Sequence, residues 1–306
     1  GSSGVADLRT GAPIDDRSLF VLASTTKTFV ATMVLRLYEQ GRFGLDDPIA
    51  PYVPSYVPDA GEVTVRELLG HTAGYPDAEG EPMILRWLSD PNHRWSRAQL
   101  MRRQKPVRSP PGARFRYCNS CYVMLGALVE SASRGSVGDA YRRLIEDPLE
   151  LTGETAFVRS PASAERIVHG YDGRDRKDTF SGARRLGVPT GDWGTIWTDG
   201  GLAATARGVA RFTDALFGGR VLRPATLAQM VDPGPNRTYG LGTYRMRFDG
   251  HRWQGNDGFY YGFTSTTMYD ADRKLTLTVL TNLTDRYDPA FAMWQSLARV
   301  VDALGL

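Results

Sequence analysis

The feature of this sequence that most restricts its fold is where its strands fall. Segments rich in Thr, Tyr, Val, Leu and Phe occupy 238 to 248, 261 to 269 and 274 to 281, late in a chain of 306 residues, and D-A-D-R at 270 to 273 supplies a hairpin turn between the last two. Segments joined that way pair antiparallel. Asp288 and Pro289 then open a closing amphipathic helix through Leu304. Upstream, the stretch G-L-D-D-P-I-A-P-Y-V-P-S-Y-V-P leads into short helices separated by Pro/Gly loops: V-T-V-R-E-L-L-G-H-T, the 83 to 104 region, and C-Y-V-M-L-G-A-L-V-E from Cys121. A first helix begins near Ser24 and stops at Gln40-Gly41, with Gly41 as a natural C-cap. The predicted architecture is therefore α/β (α+β). An antiparallel sheet flanked by helices is built from both termini, 1–42 and 200–306, around a mainly α-helical insertion, 43–199.

The first helix carries an unusual pair. Phe29, Val30, Met33, Val34 and Leu37 recur at helical spacing, and Ser24 is suited to the N-cap or first turn, so Ser24 and Lys27 share one face. A serine hydroxyl is a weak nucleophile until a base takes its proton, and a desolvated amine one turn along can be that base. The helix N-terminus adds partial positive charge at Ser24. A capped helix with an exposed lysine would show the same four residues, so S-x-x-K alone decides nothing.

Composition narrows the alternatives. The net charge is +3, and the densest basic run, M-R-R-Q-K at 101 to 105, is short, as on a solvated face; this excludes a nucleic-acid binder. No run approaches the ~18 apolar residues of a membrane span. The first residues, G-S-S-G-V-A-D-L-R-T-G, lack the apolar core of a signal peptide. Two cysteines, Cys118 and Cys121, stand in Y-C-N-S-C-Y; with no second pair and only His71, His93, His169 and His251 elsewhere, they read as small buried residues ahead of a redox or zinc pair. No metal or cofactor is implied.

Ahead of the helix from Cys121, Tyr117 and Asn119 stand almost side by side. A tyrosine can relay a proton, and an amide can hold a lysine and a substrate carbonyl. With Ser24-Thr25-Thr26-Lys27 and Tyr117-Cys118-Asn119 in order, the chain resembles the serine β-lactamase and penicillin-binding protein superfamily, in its branch of class C β-lactamases, D-alanyl-D-alanine carboxypeptidases and esterases. F-V-L-A-S-T-T-K-T-F, E-L-L-G-H-T-A-G-Y-P-D at 67 to 77, G-G-L-A-A-T-A-R-G-V-A-R-F at 200 to 212 and Y-G-L-G at 239 to 242 extend the likeness nearly end to end. The resemblance implies a β-lactamase/transpeptidase-like fold with its site in the cleft between an α/β and an all-α part.

It further implies a serine hydrolase or acyltransferase that forms an acyl-enzyme on Ser24. Lys27 and Tyr117 would act as base and acid, Asn119 would hold Lys27 and the substrate amide, and the backbone N–H groups of Ser24 and Phe259 would form the oxyanion hole. The substrate would be a small molecule or peptide of the D-amino-acid peptide, ester or β-lactam class, with peptidase-like or esterase-like chemistry ahead of efficient β-lactam turnover. The third motif falls in G-N-D-G-F-Y-Y-G-F at 255 to 263, as Asn256-Asp257-Gly258, with Asn256 where the family usually has lysine or histidine. That departure leaves a second reading, an acyl-binding sensor that does not turn over. A Ser-His-Asp hydrolase using His169 or His251 lacks the G-x-S-x-G elbow. Trp193, Trp197, Tyr260 and Tyr261 fall near the expected cleft as an acyl pocket or as core packing. Family members usually carry a helix and two strands ahead of S-x-x-K; with 23 residues before Ser24, either the chain is a fragment or its sheet has an open edge that a partner segment could cover. Export is common in the resembled family, and the compartment stays open.

Overall fold

The structure is a computed structural model that describes residues 1–78, 96–157, 166–173, 177–178, 197–234, 238–260, 262–285 and 288–305. After the short strands β1 (Val5–Asp7), β2 (Ala12–Pro13), β3 (Phe20–Val21), β4 (Thr155–Phe157), β5 (Tyr171–Asp172), β6 (Lys177–Asp178) and β7 (Leu202–Ala204), four antiparallel strands form the main sheet: β8 (Tyr244–Phe248), β9 (His251–Tyr260), β10 (Phe263–Asp270) and β11 (Leu275–Thr281), in the order β11-β10-β9-β8. The closing helix, Pro289–Ala303, lies on one face, where Trp294 meets Trp253 of β9 edge-on at 4.9 Å between ring centroids. Its N-cap is Asp288, which accepts from the Phe291 N–H at 3.0 Å, as the Asp-Pro signal predicts.

The first helix, α1 (Thr26–Glu39), and a later one, Ala206–Phe217, cover the other face. Phe29 stacks on Phe212 at 3.6 Å, and the same core continues into the helix Asn119–Ser133, here α4 after α2 (Val65–Leu69) and α3 (Arg97–Arg102). Sandwiched in this way, α1 is buried almost all round rather than along one stripe. It ends as predicted, with Gly41 at φ +70° and Schellman hydrogen bonds from Gly41 N–H to Tyr38 O and from Arg42 N–H to Leu37 O.

Two sequence expectations shift. The 238 to 248 segment is a strand only from Tyr244, because a turn precedes it with Gly242 at φ +86°, where a Cβ would lie 2.3 Å from that of Ala31 on α1. Strand β9, conversely, is invisible to residue patterning because Gly255, Asn256, Asp257 and Gly258 are poor strand formers. Pairing with β10, from Trp253 opposite Asp270 to Tyr260 opposite Phe263, holds them extended. Of the 83 to 104 region only α3 lies within the described residues. Strand β8 stops opposite Gly255, so no strand among the described residues pairs with β9 beyond it on that side. Likewise β11 ends the sheet on the other side.

Candidate active site

Ser24 is not the N-cap of α1. It lies in a one-turn 3₁₀ segment, Ala23–Thr25, that leads into the helix, and Ala23 before it is held in the left-handed region at φ +48°. The hydroxyl is consequently not consumed in capping. The turn is tied down from β10, where Ser265 Oγ donates to Leu22 O at 2.7 Å and meets Thr25 Oγ1 at 2.8 Å, and from the preceding Leu22 N–H, bonded to Leu202 O at 2.8 Å. It can sit so close to the sheet only because residue 258 is glycine: a Cβ there would lie 2.2 Å from Leu22 O and 2.9 Å from Ser24 N.

Around Ser24 Oγ the chain brings together residues from two elements. Lys27 Nζ is 3.0 Å away, and the Tyr117 hydroxyl donates to Ser24 Oγ at 2.7 Å. Lys27 is fully buried, and its Nζ also donates to Asn119 Oδ1 at 2.9 Å and to Asp199 O at 2.7 Å. Both of those oxygens are acceptors only. Lys27 Nζ thus has three short oxygen contacts, two to oxygens that only accept and one to the serine hydroxyl. The Tyr117 and Tyr122 rings lie 4.9 and 5.6 Å from Nζ.

Asn119 is oriented in turn by a residue that patterning alone did not single out. Its Nδ2 donates to Asp77 Oδ2 at 2.9 Å, and Asp77 Oδ1 accepts from the Ser120 N–H at 3.1 Å. A carboxylate accepts and never donates, so Asp77 fixes the amide with its oxygen toward Lys27. The only advance signal was its position at the end of H-T-A-G-Y-P-D. His71, from the same segment, is buried beneath Tyr117 with ring centroids 4.3 Å apart, and its Nδ1 accepts from the Cys118 N–H at 3.2 Å. Burial first, and then the charge of Lys27, hold the His71 pKa well below the usual imidazole value. Cys118 caps α4 and is joined to Cys121 in a disulfide, with Cα atoms 5.3 Å apart. The two are buried, as expected, but bonded, because the first turn of a helix brings residues three apart together.

Asn256 faces α1. It is buried against α1, donating through Nδ2 to Thr28 Oγ1 at 3.2 Å and Gly242 O at 3.4 Å, while its Oδ1 accepts from the Asp257 N–H at 3.0 Å. Asp257 turns to the other face of the sheet, beside its β10 partner Thr266: burial first, and then the nearby Asp288, raise its carboxyl above the ordinary value, against the pull of Lys27. Phe259, two residues on, is 54% exposed. Among the aromatics expected near the cleft, Trp197 is stacked under the Arg97 guanidinium at 3.9 Å and packed on α4 at Gly126, and Tyr260 packs against the small core of Leu19 and Phe263. Trp193 and Tyr261 lie outside the described residues. His251 sits at the far end of β9 between Asp270 and Asp302, and is no partner of Ser24.

A family model described as Beta-lactamase matches residues 1–302. Among curated proteins the chain is 28% identical to Penicillin-binding protein 4* of Bacillus subtilis (strain 168), over 92% of this chain and 64% of that protein. It is 31% identical to Esterase EstB of Burkholderia gladioli, over 62% of this chain and 51% of that protein. The chain thus spans between half and two thirds of the length of these relatives. Among solved structures, D-amino acid amidase from Ochrobactrum anthropi SV3 complexed with D-phenylalanine superposes with a TM-score of 0.82 at 26% identity, covering 99% of this chain and 89% of that one. The mixed helix and antiparallel-sheet architecture is the one these neighbours share.

Proposed function

The chain belongs to the Beta-lactamase family, and from that premise we propose that it is a serine hydrolase that forms and then hydrolyses an acyl-enzyme on Ser24. The observation that carries this is a serine hydroxyl held between an amine and a phenol, 3.0 Å from Lys27 Nζ and 2.7 Å from Tyr117 OH. Lys27 takes the Ser24 proton as Oγ adds to an ester or amide carbonyl. The oxyanion meets the Ser24 N–H and, as the second donor, the Phe259 N–H. The latter lies two residues after the Asp257 N–H that Asn256 Oδ1 accepts from, so the period of the strand turns both donors to one edge of β9, beside Gly258. When the tetrahedral intermediate collapses, the carbonyl–leaving group bond breaks and Tyr117 protonates the departing atom. Water then attacks the acyl carbonyl, gives its proton to the same pair, and Ser24 leaves with its proton restored. Asn119, fixed by Asp77, holds Lys27 and a substrate amide. Esters and the amides of D-amino acids, the chemistries named for the relatives and neighbours above, are the substrates this reading favours.

Intact-mass measurement after brief exposure to a fluorophosphonate, a penicillin and a p-nitrophenyl ester tests it, with Ser24→Ala alongside. A mass increment on wild type alone, stable with the fluorophosphonate and lost with time for the reagent that turns over, is the expected result. An increment that persists with every reagent would favour the acyl-binding sensor; equal labelling of Ser24→Ala would overturn both.

A further inference from the structure

The N–H of a helix N-cap residue has no acceptor within the helix backbone. In α2 and α3 a side chain three residues on supplies one: Glu67 Oε2 takes the Thr64 N–H and Gln99 Oε1 takes the Ser96 N–H, both at 2.8 Å. At α4 the N-cap is Cys118, and the residue three on is Cys121, whose sulfur is bonded to Cys118 itself. Cys118 is buried, so its N–H needs an acceptor from outside the helix. His71 Nδ1 is that acceptor, at 3.2 Å.

His71 stands where a glycine is expected. It follows Gly70, the C-cap of α2, and closes a Schellman motif, with the His71 N–H on Leu68 O at 3.3 Å and the Thr72 N–H on Glu67 O at 2.9 Å. Its φ is +56°, which is costly for a residue that carries a Cβ. Its ring is fully buried, and Nε2 has no hydrogen-bond partner among the described residues. A glycine would avoid the first cost, and an apolar side chain the second. What the histidine contributes is a grip on both sides of Tyr117. Its backbone O accepts from the Arg116 N–H at 2.7 Å, its Nδ1 accepts from the Cys118 N–H, and its ring lies 4.3 Å from that of Tyr117 between them. Phe115, Tyr122 and Tyr239 close the other sides, with ring centroids 4.8 to 5.9 Å away. The stretch held in this way carries the hydroxyl that meets Ser24 Oγ at 2.7 Å.

We propose that His71 is a positioning residue for Tyr117: by accepting the Cys118 N–H it holds residues 116 to 118 so that the Tyr117 hydroxyl reaches Ser24 and the leaving atom. This rests on the acyl-enzyme reading of Ser24, in which Tyr117 protonates the leaving group. The ratio of kcat/KM for the p-nitrophenyl and ethyl esters of phenylacetic acid tests it. p-Nitrophenoxide departs without a proton and ethoxide needs one, so the ratio reads proton delivery, and any loss of folded enzyme cancels. Asparagine and glycine both tolerate the left-handed conformation, but only asparagine offers an oxygen near the place of Nδ1. His71→Gly should widen the ratio roughly tenfold, part of the ~10²–10⁴ that a positioned acid contributes, and His71→Asn should stay within about twofold of wild type. Tyr117→Phe should widen it most, and His71→Gly added to Tyr117→Phe should change it no further. An unchanged ratio in His71→Gly, an equal widening in His71→Asn, or a further widening by His71→Gly in the absence of the Tyr117 hydroxyl overturns the inference alone. No turnover of either ester, cleavage of the p-nitrophenyl ester only, equal turnover by Ser24→Ala, or a ratio unmoved by Tyr117→Phe overturns the proposed roles of Ser24 and Tyr117 and the inference with them.

Discussion

The two halves of the candidate site are built on opposite principles. On the helix side, Ser24, Lys27, Tyr117, Asn119 and Asp77 form a closed network in which each short polar contact has a partner, and Lys27 is wholly buried. On the strand side, Asp257 is a carboxylate without a salt-bridge partner among the described residues, and Phe259 is exposed. A saturated network has one arrangement, because every lost partner leaves a buried polar group unpaired. An unsaturated edge is completed by what binds there. On the proposed reading, the reaction belongs to the first half.

The largest effects should come from the network. Ser24→Ala is expected to lower kcat by on the order of 10⁴–10⁶, with Lys27→Met close behind, since residues that act as a unit fail together. Single-turnover kinetics on a p-nitrophenyl ester reads this; if Lys27→Met kept wild-type acylation, Tyr117 alone would be the base and the division between halves would need redrawing. Next is Gly258→Ala, whose methyl would have to displace Leu22 O and Ser24 N from 2.2 and 2.9 Å. It should cost about 10²–10³ in kcat by spoiling the oxyanion donors. A crystal structure showing the Leu22–Thr25 turn unmoved in an active variant would refute that account.

Asp77→Ala should lower kcat by roughly 10- to 100-fold through a misoriented Asn119, with KM for a small ester changed much less. Asp77→Asn, which can still accept from Asn119 Nδ2, should recover part of the loss. Parallel losses in kcat and stability, without recovery in Asp77→Asn, would mean that Asp77 merely holds the fold.

The smallest effects concern pH and stability. Asp257 has a raised pKa from burial and from Asp288, opposed by Lys27, so its charged form is what folding must desolvate. That penalty is full above its folded pKa and disappears below the ordinary carboxyl value. Asp257→Asn should therefore raise the thermal midpoint by roughly 1–3 °C near pH 7, and the gain should vanish as the pH falls toward about 3.9. His71 gives the opposite dependence: with its pKa depressed by burial and Lys27, the unfolded chain binds a proton that the folded chain refuses. Stability should decline as the pH drops below about 6.5, as thermal melts across pH 5 to 8 would record. A flat profile there would place the imidazole's proton elsewhere.

Much of the network was legible in the sequence because its members sit in short local motifs. Ser24 and Lys27 are one helical turn apart, and Tyr117 and Asn119 flank the N-cap of another helix, so secondary structure alone aligns each pair. Patterning failed where backbone partners override propensity: β9 is a strand because β10 pairs with it, and Asn256 faces α1 because strand alternation sets it there. Asp77 could not be singled out, since its partner lies 42 residues away.

The sequence by itself singled out Ser24, Lys27, Tyr117 and Asn119 as candidates and determined the helix ends at Gly41 and Asp288 and a late antiparallel sheet, because spacing and capping are local properties of the chain. Only the tertiary structure decided that Ser24 stays free of capping duty, that Cys118 and Cys121 are bonded, that Asn256 turns inward and that Asp257 is desolvated near Asp288. Those outcomes depend on which groups are desolvated together, and that is settled when α1, α4 and β9 pack against one another.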